Sequence, residues 1–272
     1  MAGYDWITFL TDYGLQDSYV GVCHGVMARI APHARVIDVS HAVGPQDVRH
    51  GAVVLAQAVG YLPDAVHLAV VDPGVGTARG QVALQAGGRM LVGPDNGLLL
   101  WAADALGGVE RAHALANPAY QLSPVSRTFH GRDVFAPAAA HLAAGVDPAA
   151  LGPELDPAGL VRLPTPTATV DDGRLLGEVL LVDHFGNLLL SFGGAELERA
   201  GLRLGDPVEI RVGDRAFTAS VGDTFAAVPP GALVVHEDSS RRIAISLNRG
   251  RAAERLEARA GDPVTLSRPV RR

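Results

Sequence analysis

Through the first part of the chain, apolar and polar positions follow two alternating rhythms. Unbroken apolar runs, "WITFL" from Trp6 and "HLAVV" from His67 up to Asp72, suit strands buried on both faces of a parallel sheet. "RVIDVS" (35–40) reads as a third, less apolar strand. Between these runs the period lengthens. Val20, Cys23, Met27 and Ile30 recur at three- and four-residue steps, as do Val48, Ala52, Leu55, Val59 and Leu62, which marks one face of a helix each time. Pro32 and Pro63 stand just beyond these runs, where a residue without an N–H ends a helix. A third helix is expected from about Asp133 to Ala144. The β-α-β-α-β order implies right-handed crossovers and a layered α/β domain with a mostly parallel sheet.

The rhythm changes after "LPTPTATV" (163–170), a Pro/Thr stretch that reads as an extended linker. Beyond it come short apolar runs separated by turn residues: "GEVLLVD", "NLLLSF", "DPVEIRV", "RAFTASV", "ALVVHE", "RIAISL" and "DPVTLS". Strands this short, without long helices between them, predict a small β-barrel-like domain. The expected layout is therefore an α/β domain over 1–164, a linker over 165–172 and the β domain over 173–272.

Composition narrows the classes. With 272 residues and 48% hydrophobic side chains, the chain can bury a substantial core. A net charge of −6 argues against a nucleic-acid partner, and only the tail "RPVRR" is locally basic. Cys23 is the sole cysteine, which excludes an internal disulfide and a thiolate metal cluster. The start, "MAGYDWITFL", carries an acid where a signal peptide needs a basic region, and no apolar run reaches bilayer length. A cytoplasmic protein with no membrane partner is expected.

Open parallel sheets bind ligands beyond the carboxyl ends of their strands. Three loops of that kind carry reactive groups: "TDYGLQDSY" with Asp12, Asp17 and Ser18; "DPGVGTARG" with Asp72 and Arg79; and "RTFHGRD" with His130, Arg132 and Asp133. Each group alone has a plain structural reading. Asp17 and Asp133 suit helix N-caps, Arg132 a surface position, His130 a structural role, and Asp-Pro-Gly a simple turn. His24, His41, His50 and His141 show no ligand spacing and are read as structural. The glycine loop is neither a dinucleotide fingerprint nor a P-loop. A metal-dependent phosphoesterase using Asp12, Asp72, His130 and Asp133 is a possible reading, weakened because no close-spaced ligand pair accompanies them.

Taken together and in order, "TDYG…DSYVG", "VDPGVGT.R", "GPDNG", "TFHGRD" and "DHFGN" resemble the S-adenosyl-L-methionine hydroxide adenosyltransferase family, whose relatives include the SAM-dependent fluorinase and chlorinase. The resemblance runs from about Trp6 to Asn248. It implies hydrolysis of S-adenosyl-L-methionine to adenosine and L-methionine, with neither cofactor nor metal. It also implies a homotrimer whose sites join the first domain of one subunit to the second domain of its neighbour. The implied water-handling set is Asp72, Arg79 and His130. Asp12 resembles the carboxylate that pairs with the ribose diol. Asp17, Ser18 and Asp183 match positions at the methionine end, and Phe185 and Asn187 match adenine contacts. Ser239, Asn248 and Arg249 are weaker matches, and core packing is an equal reading for Phe185. Two positions depart from the halogenases: Asp72 stands where they carry a tyrosine, and Phe129-His130-Gly131 lacks their serine. A SAM- or nucleoside-binding sensor without turnover is the alternative from another class.

Overall fold

The apolar runs of the first part assemble into a single sheet. The computed structural model describes residues 3–269, so most of the basic tail lies outside it. Two compact units meet in sequence between Leu163 and Pro164.

In the first unit the strands are β1 (Trp6–Thr11), β2 (Arg35–Ser40), β3 (Val66–Val70), β4 (Gln81–Ala86), β5 (Arg89–Pro94), β6 (Arg111–Ala114) and β7 (Glu154–Leu155). They lie in the order β2-β1-β3-β5-β4-β6-β7. The pairs β1–β2, β1–β3 and β3–β5 are parallel, while β4–β5, β4–β6 and β6–β7 are antiparallel. The sheet thus combines a parallel part, β2-β1-β3-β5, with an antiparallel extension through β4, β6 and β7. The reason is local: Gly87 and Gly88 reverse the chain directly after β4, and a tight hairpin can only pair its strands antiparallel.

Helices α1 (Tyr19–Ile30), α2 (Val48–Val59), α3 (Leu100–Ala105) and α4 (Ala136–Ala143) cover the sheet. On one face Val20, Cys23 and Met27 of α1, with Ala139 of α4, pack on Ile7, Phe9 and Leu68. On the other, Ala52, Leu55 and Val59 of α2 pack on Leu10, Ala69 and Val71. The helix expected from Asp133 begins instead as a π-helical turn over Gly131–Phe135 and becomes α-helical only at Ala136.

The second unit contains β8 (Thr169–Asp171), β9 (Arg174–Val182), β10 (Leu188–Gly193), β11 (Pro207–Val212), β12 (Arg215–Val221), β13 (Leu233–Glu237), β14 (Arg242–Leu247) and β15 (Pro263–Ser267). Seven of them run β10-β14-β13-β12-β11-β15-β9, and β9 pairs back onto β10 to close a barrel. Closure removes the exposed edges that a sheet of short strands would otherwise present. Leu175, Val179, Leu190, Ile210, Val235, Ile245 and Leu266 fill its interior. β8 falls within the stretch read as linker and pairs with the start of β9 through Val170 and Leu175. Among the described residues no helix is long and apolar enough to cross a membrane.

One buried base makes the first unit acid-sensitive. His67 on β3 shares a 2.8 Å hydrogen bond with Thr8 Oγ1, and its Nε2 has no partner. Burial, reinforced by the Arg89 charge, lowers its pKa from 6.5 to about 4. Between those values the unfolded chain binds the extra proton and the folded chain does not. Stability is therefore intact above pH 6.5 and declines as pH falls towards 4, by about 3 kcal/mol in total. Urea denaturation at neutral and mildly acidic pH is expected to reveal this loss, and His67→Leu should flatten the dependence.

Candidate active site

The register of β1 against β3 places Thr11 opposite Val70, so the residues that follow, Asp12 and Asp72, leave the sheet at the same edge. Asn96 of "GPDNG" donates Nδ2 to Val71 O at 2.8 Å and holds that exit in place. The next segment folds back on itself, with Val75 N–H donating to Asp72 O and Thr77 N–H to Gly74 O. Gly76 has φ 76°, and a Cβ there would lie 2.4 Å from Arg127 O. Only glycine permits both that backbone and that approach.

This fold-back returns Arg79 to Asp72. Arg79 Nε donates to Asp72 Oδ1 at 2.8 Å and Nη2 donates to Oδ2, a two-pronged pair whose side chains are only 10% and 7% exposed. The guanidinium also rests 5.1 Å from the centre of the Phe135 ring. Arg79 Nη2 reaches His130 Nδ1 at 3.0 Å as well. A guanidinium can only donate, so Nδ1 accepts and the neutral ring carries its proton on Nε2. Burial and the neighbouring Arg79 charge hold the His130 pKa below the ordinary imidazole value, against the opposing pull of Asp72 and Asp133. The three expected catalytic groups form one contiguous cluster.

The surroundings fix His130 in ways that differ from the sequence reading. Asp133 is not a helix cap. It is 1% exposed, accepts Arg132 Nε at 2.6 Å and Nη2 at 2.9 Å, and takes the Ser126 N–H at 2.8 Å. Arg132 is accordingly tied to this buried carboxylate instead of standing as an independent surface charge. Gln81, which the sequence reading passed over, brings Nε2 to 3.4 Å from His130 Nδ1. Tyr13 was passed over too. Its ring packs with Tyr19 and Phe129, and a Cβ on Gly131 would lie 2.1 Å from its hydroxyl. Burial raises the Tyr13 pKa well above 10, so the phenol keeps its proton.

Asp12 is half-buried, and its Oδ2 accepts the Gln46 N–H at 2.8 Å. Gln46 itself has φ 64°, an uncommon conformation for a side-chain-bearing residue. Asp17 and Ser18 are exposed at the start of α1, where Ser18, not Asp17, occupies the cap position without a side-chain capping bond.

In the barrel unit, Asp183, Phe185 and Asn187 share one turn. Asn187 N–H donates to Asp183 Oδ1 at 2.8 Å and Asn187 Nδ2 to Oδ2 at 2.7 Å. With the turn held from inside, the Phe185 ring projects outward and is 71% exposed, which rules out core packing. Leu188 pairs with Ile245, so this turn and Asn248–Arg249 lie at the same end of β14. The Asn248 amide donates to Val228 O at 2.7 Å, and Arg249 has φ 60°. Ser239 precedes β14 and lies at its other end, about 20 Å away at the rise of an extended strand. The structure does not bring Ser239 to the others. A cavity of about 940 Å³ beside Leu202, Val221 and His236 contains none of the expected site residues.

Comparison with known proteins agrees along the chain. Residues 7–152 match the SAM hydroxide adenosyltransferase N-terminal domain and residues 177–265 match the corresponding C-terminal domain. The chain is 55% identical to a Salinispora arenicola (strain CNS-205) protein named (R)-S-adenosyl-L-methionine hydrolase, over 98% of this chain and 99% of that one. A fluorinase from Actinoplanes sp. (strain N902-109) is 30% identical over 96% and 97%. The crystal structure of an uncharacterized conserved protein from Thermotoga maritima superimposes with a TM-score of 0.91 at 37% identity, covering 96% of this chain and all of that one.

The contact between Tyr13 and Gly131 yields a measurable coupling. Gly131→Ala is expected to cost about 1–3 kcal/mol by overpacking. Tyr13→Phe, by removing the hydroxyl at 2.1 Å, should recover part of that loss in the double variant. Chemical denaturation of the four proteins in the cycle checks this.

Proposed function

The chain belongs to the SAM hydroxide adenosyltransferase family, and from that premise we propose that it hydrolyses S-adenosyl-L-methionine to adenosine and L-methionine. The observation that carries the reading is the buried Asp72–Arg79–His130 cluster at the strand edge it shares with Asp12. The (R) configuration at sulfur is taken as the substrate form, following the name of the 55% identical relative.

The reaction needs little from the protein beyond an oriented water. Water oxygen forms a bond to the ribose C5′ in line with the C5′–S bond, which breaks with its electron pair going to sulfur. The sulfonium leaves as the neutral thioether of methionine, so no general acid is required. In this reading His130 donates Nε2–H to the water oxygen and aims its remaining lone pair at C5′. Asp72 takes the proton, because Arg79 already engages His130 Nδ1. Arg79 holds the other two groups in register. A carboxylate here also disfavours a halide nucleophile, which would meet a like charge.

Asp12 is assigned the ribose 2′ and 3′ hydroxyls, for which a carboxylate is a two-point acceptor. Asp17, Ser18 and Asp183 are assigned the methionine end. Phe185 supplies an exposed ring for stacking on adenine, Asn187 a hydrogen bond to it, and Asn248 and Arg249 main-chain contacts beside it. Ser239 is left out of this set. The first group of these residues belongs to one unit and the second to the barrel. We therefore retain the homotrimer in which each site draws the two groups from neighbouring subunits. A cytoplasmic location belongs to the same reading, since that is where cells keep S-adenosyl-L-methionine.

Purified protein incubated with the (R) and (S) epimers is expected to release adenosine and methionine from the (R) form. Release should persist in chelator, and no 5′-halo-5′-deoxyadenosine should form in chloride. Asp72→Asn and His130→Ala should each lower kcat by about 10²–10⁴-fold with little change in KM. Asp12→Ala should act mainly on KM. Binding without product over long incubation would make the protein a sensor instead.

Subunit mixing tests the composite site. Inactive Asp72→Asn and Asn187→Ala chains, once exchanged, should regain part of the activity. Demonstrated exchange without recovery would assign the site to a single chain.

A further inference from the structure

Away from the hydrolytic cluster, the fold gathers His24 from α1, Asp38 from β2 and His41 just after β2. His24 Nε2 lies 2.8 Å from Asp38 Oδ1, and His41 Nε2 lies 3.0 Å from the same oxygen. One ligand-type atom from each of the three residues falls within 4.8 Å of the other two. Sequence spacing hides this group. Asp38 and His41 are adjacent along a strand and its exit, whereas His24 arrives only because α1 crosses back over the sheet before β2.

His41 is the informative member. Its side chain is 3% exposed, and Nε2 makes no well-formed hydrogen bond although it lies 3.0 Å from Asp38 Oδ1. On its other side, Nδ1 shares a 2.8 Å hydrogen bond with Thr11 Oγ1, which also accepts the Tyr13 N–H at 3.1 Å. In the tautomer whose Nδ1–H donates to Thr11 Oγ1, the Nε2 lone pair faces a carboxylate oxygen, acceptor against acceptor. A cation between them would turn that repulsion into coordination.

We propose that His24, Asp38 and His41 bind a single divalent transition-metal ion of the zinc type, at a site separate from the water-handling groups. Two imidazoles and a carboxylate favour zinc-like ions over magnesium or calcium. Metal–ligand bonds of about 2.0–2.2 Å put tetrahedral donor atoms roughly 3.3 Å apart, so only small side-chain rotations separate the present spacing from a bound one. The Thr11 contact supplies the outer partner that metal-bound histidines usually have, fixing tautomer and ring orientation. The Phe9 ring, 4.8 Å from His41 and 5.9 Å from His24, walls one side. Asp38 and His24 are 43% and 34% exposed, which opens the opposite side to a water ligand.

The ion has a structural consequence. His41 grips the chain on both sides of Asp12, at the end of β1 through Thr11 Oγ1 and beyond it through its own carbonyl, which accepts the Gly14 N–H at 2.8 Å. Holding His41 therefore holds the stretch that carries Asp12. The ion takes no part in bond breaking.

Tag-free full-length protein, stripped with chelator and dialysed, is the material for the test. Titration with Co²⁺ should produce a visible absorption band that saturates at a single ion per chain and is abolished by Zn²⁺, and Zn²⁺ should raise Tm. His24→Ala, at a half-exposed position, should lose both the band and the Tm shift while keeping its far-ultraviolet circular dichroism. Thr11→Val should weaken the affinity about 10–100-fold. Should His24→Ala fail to fold, His24→Lys keeps a cation beside Asp38 and removes the ligand, and must equally lose the band. A band that does not saturate at a single ion, or that survives in the folded His24 variant, overturns the proposal.

Discussion

The buried pair of Asp72 and Arg79 sets the terms for everything around it. Two charges with so little solvent contact are tolerable only because each satisfies the other through two hydrogen bonds. Removing either would strand the other at a cost of about 3–5 kcal/mol. That demand explains the otherwise odd sequence of an apolar strand, a carboxylate, a glycine-rich fold-back and an arginine. The fold-back must be short enough to return Arg79 to the strand end, and Gly76 lets it pass the Arg127 carbonyl on the way. His130 takes its tautomer from the same guanidinium, whose charge adds to burial in lowering its basicity.

The rest of the first unit can be understood as support for that pair. Phe135 backs the guanidinium, and Asp133 anchors the segment leading to His130. Tyr13 fills the space that a side chain on Gly131 would take, so a serine hydroxyl at that position has no room.

The barrel contributes differently. Its 183–187 turn is held by one hydrogen bond to each Asp183 oxygen, which leaves both groups further hydrogen-bonding capacity, and it leaves a large aromatic ring in solvent. A further tie from Ala253 N–H to Gly186 O holds the turn against the segment that follows Arg249. An exposed phenyl on a turn held by its own hydrogen bonds presents its face to solvent, the geometry that the proposed stacking on adenine requires.

Much of this was legible in the chain itself. Periodicity located β1, β2, α1 and α2, and the seven runs after residue 173 became the seven barrel strands, because each signal is local: side chains alternate or recur according to the element they belong to. The ordered motifs likewise pointed to Asp72, Arg79 and His130, which the fold gathers into one cluster. What sequence could not supply was pairing and proximity. The mixed sheet arose from a two-glycine reversal, and the π-helical turn over Gly131–Phe135 became visible only in the packed structure. Gln81 and Tyr13 carry no motif of their own and became visible only beside His130 and Gly131. Ser239 shares a plausible neighbourhood in sequence with Asn248, yet a whole strand separates them. His24 and His41, unremarkable in spacing, meet on Asp38 because a crossover helix returns to the strand beside its own. Local pattern determined which elements form and which residues could do chemistry. The packing of those elements decided which residues stand within hydrogen-bonding reach, because distance in space depends on strand register and crossover, which no short stretch of sequence encodes.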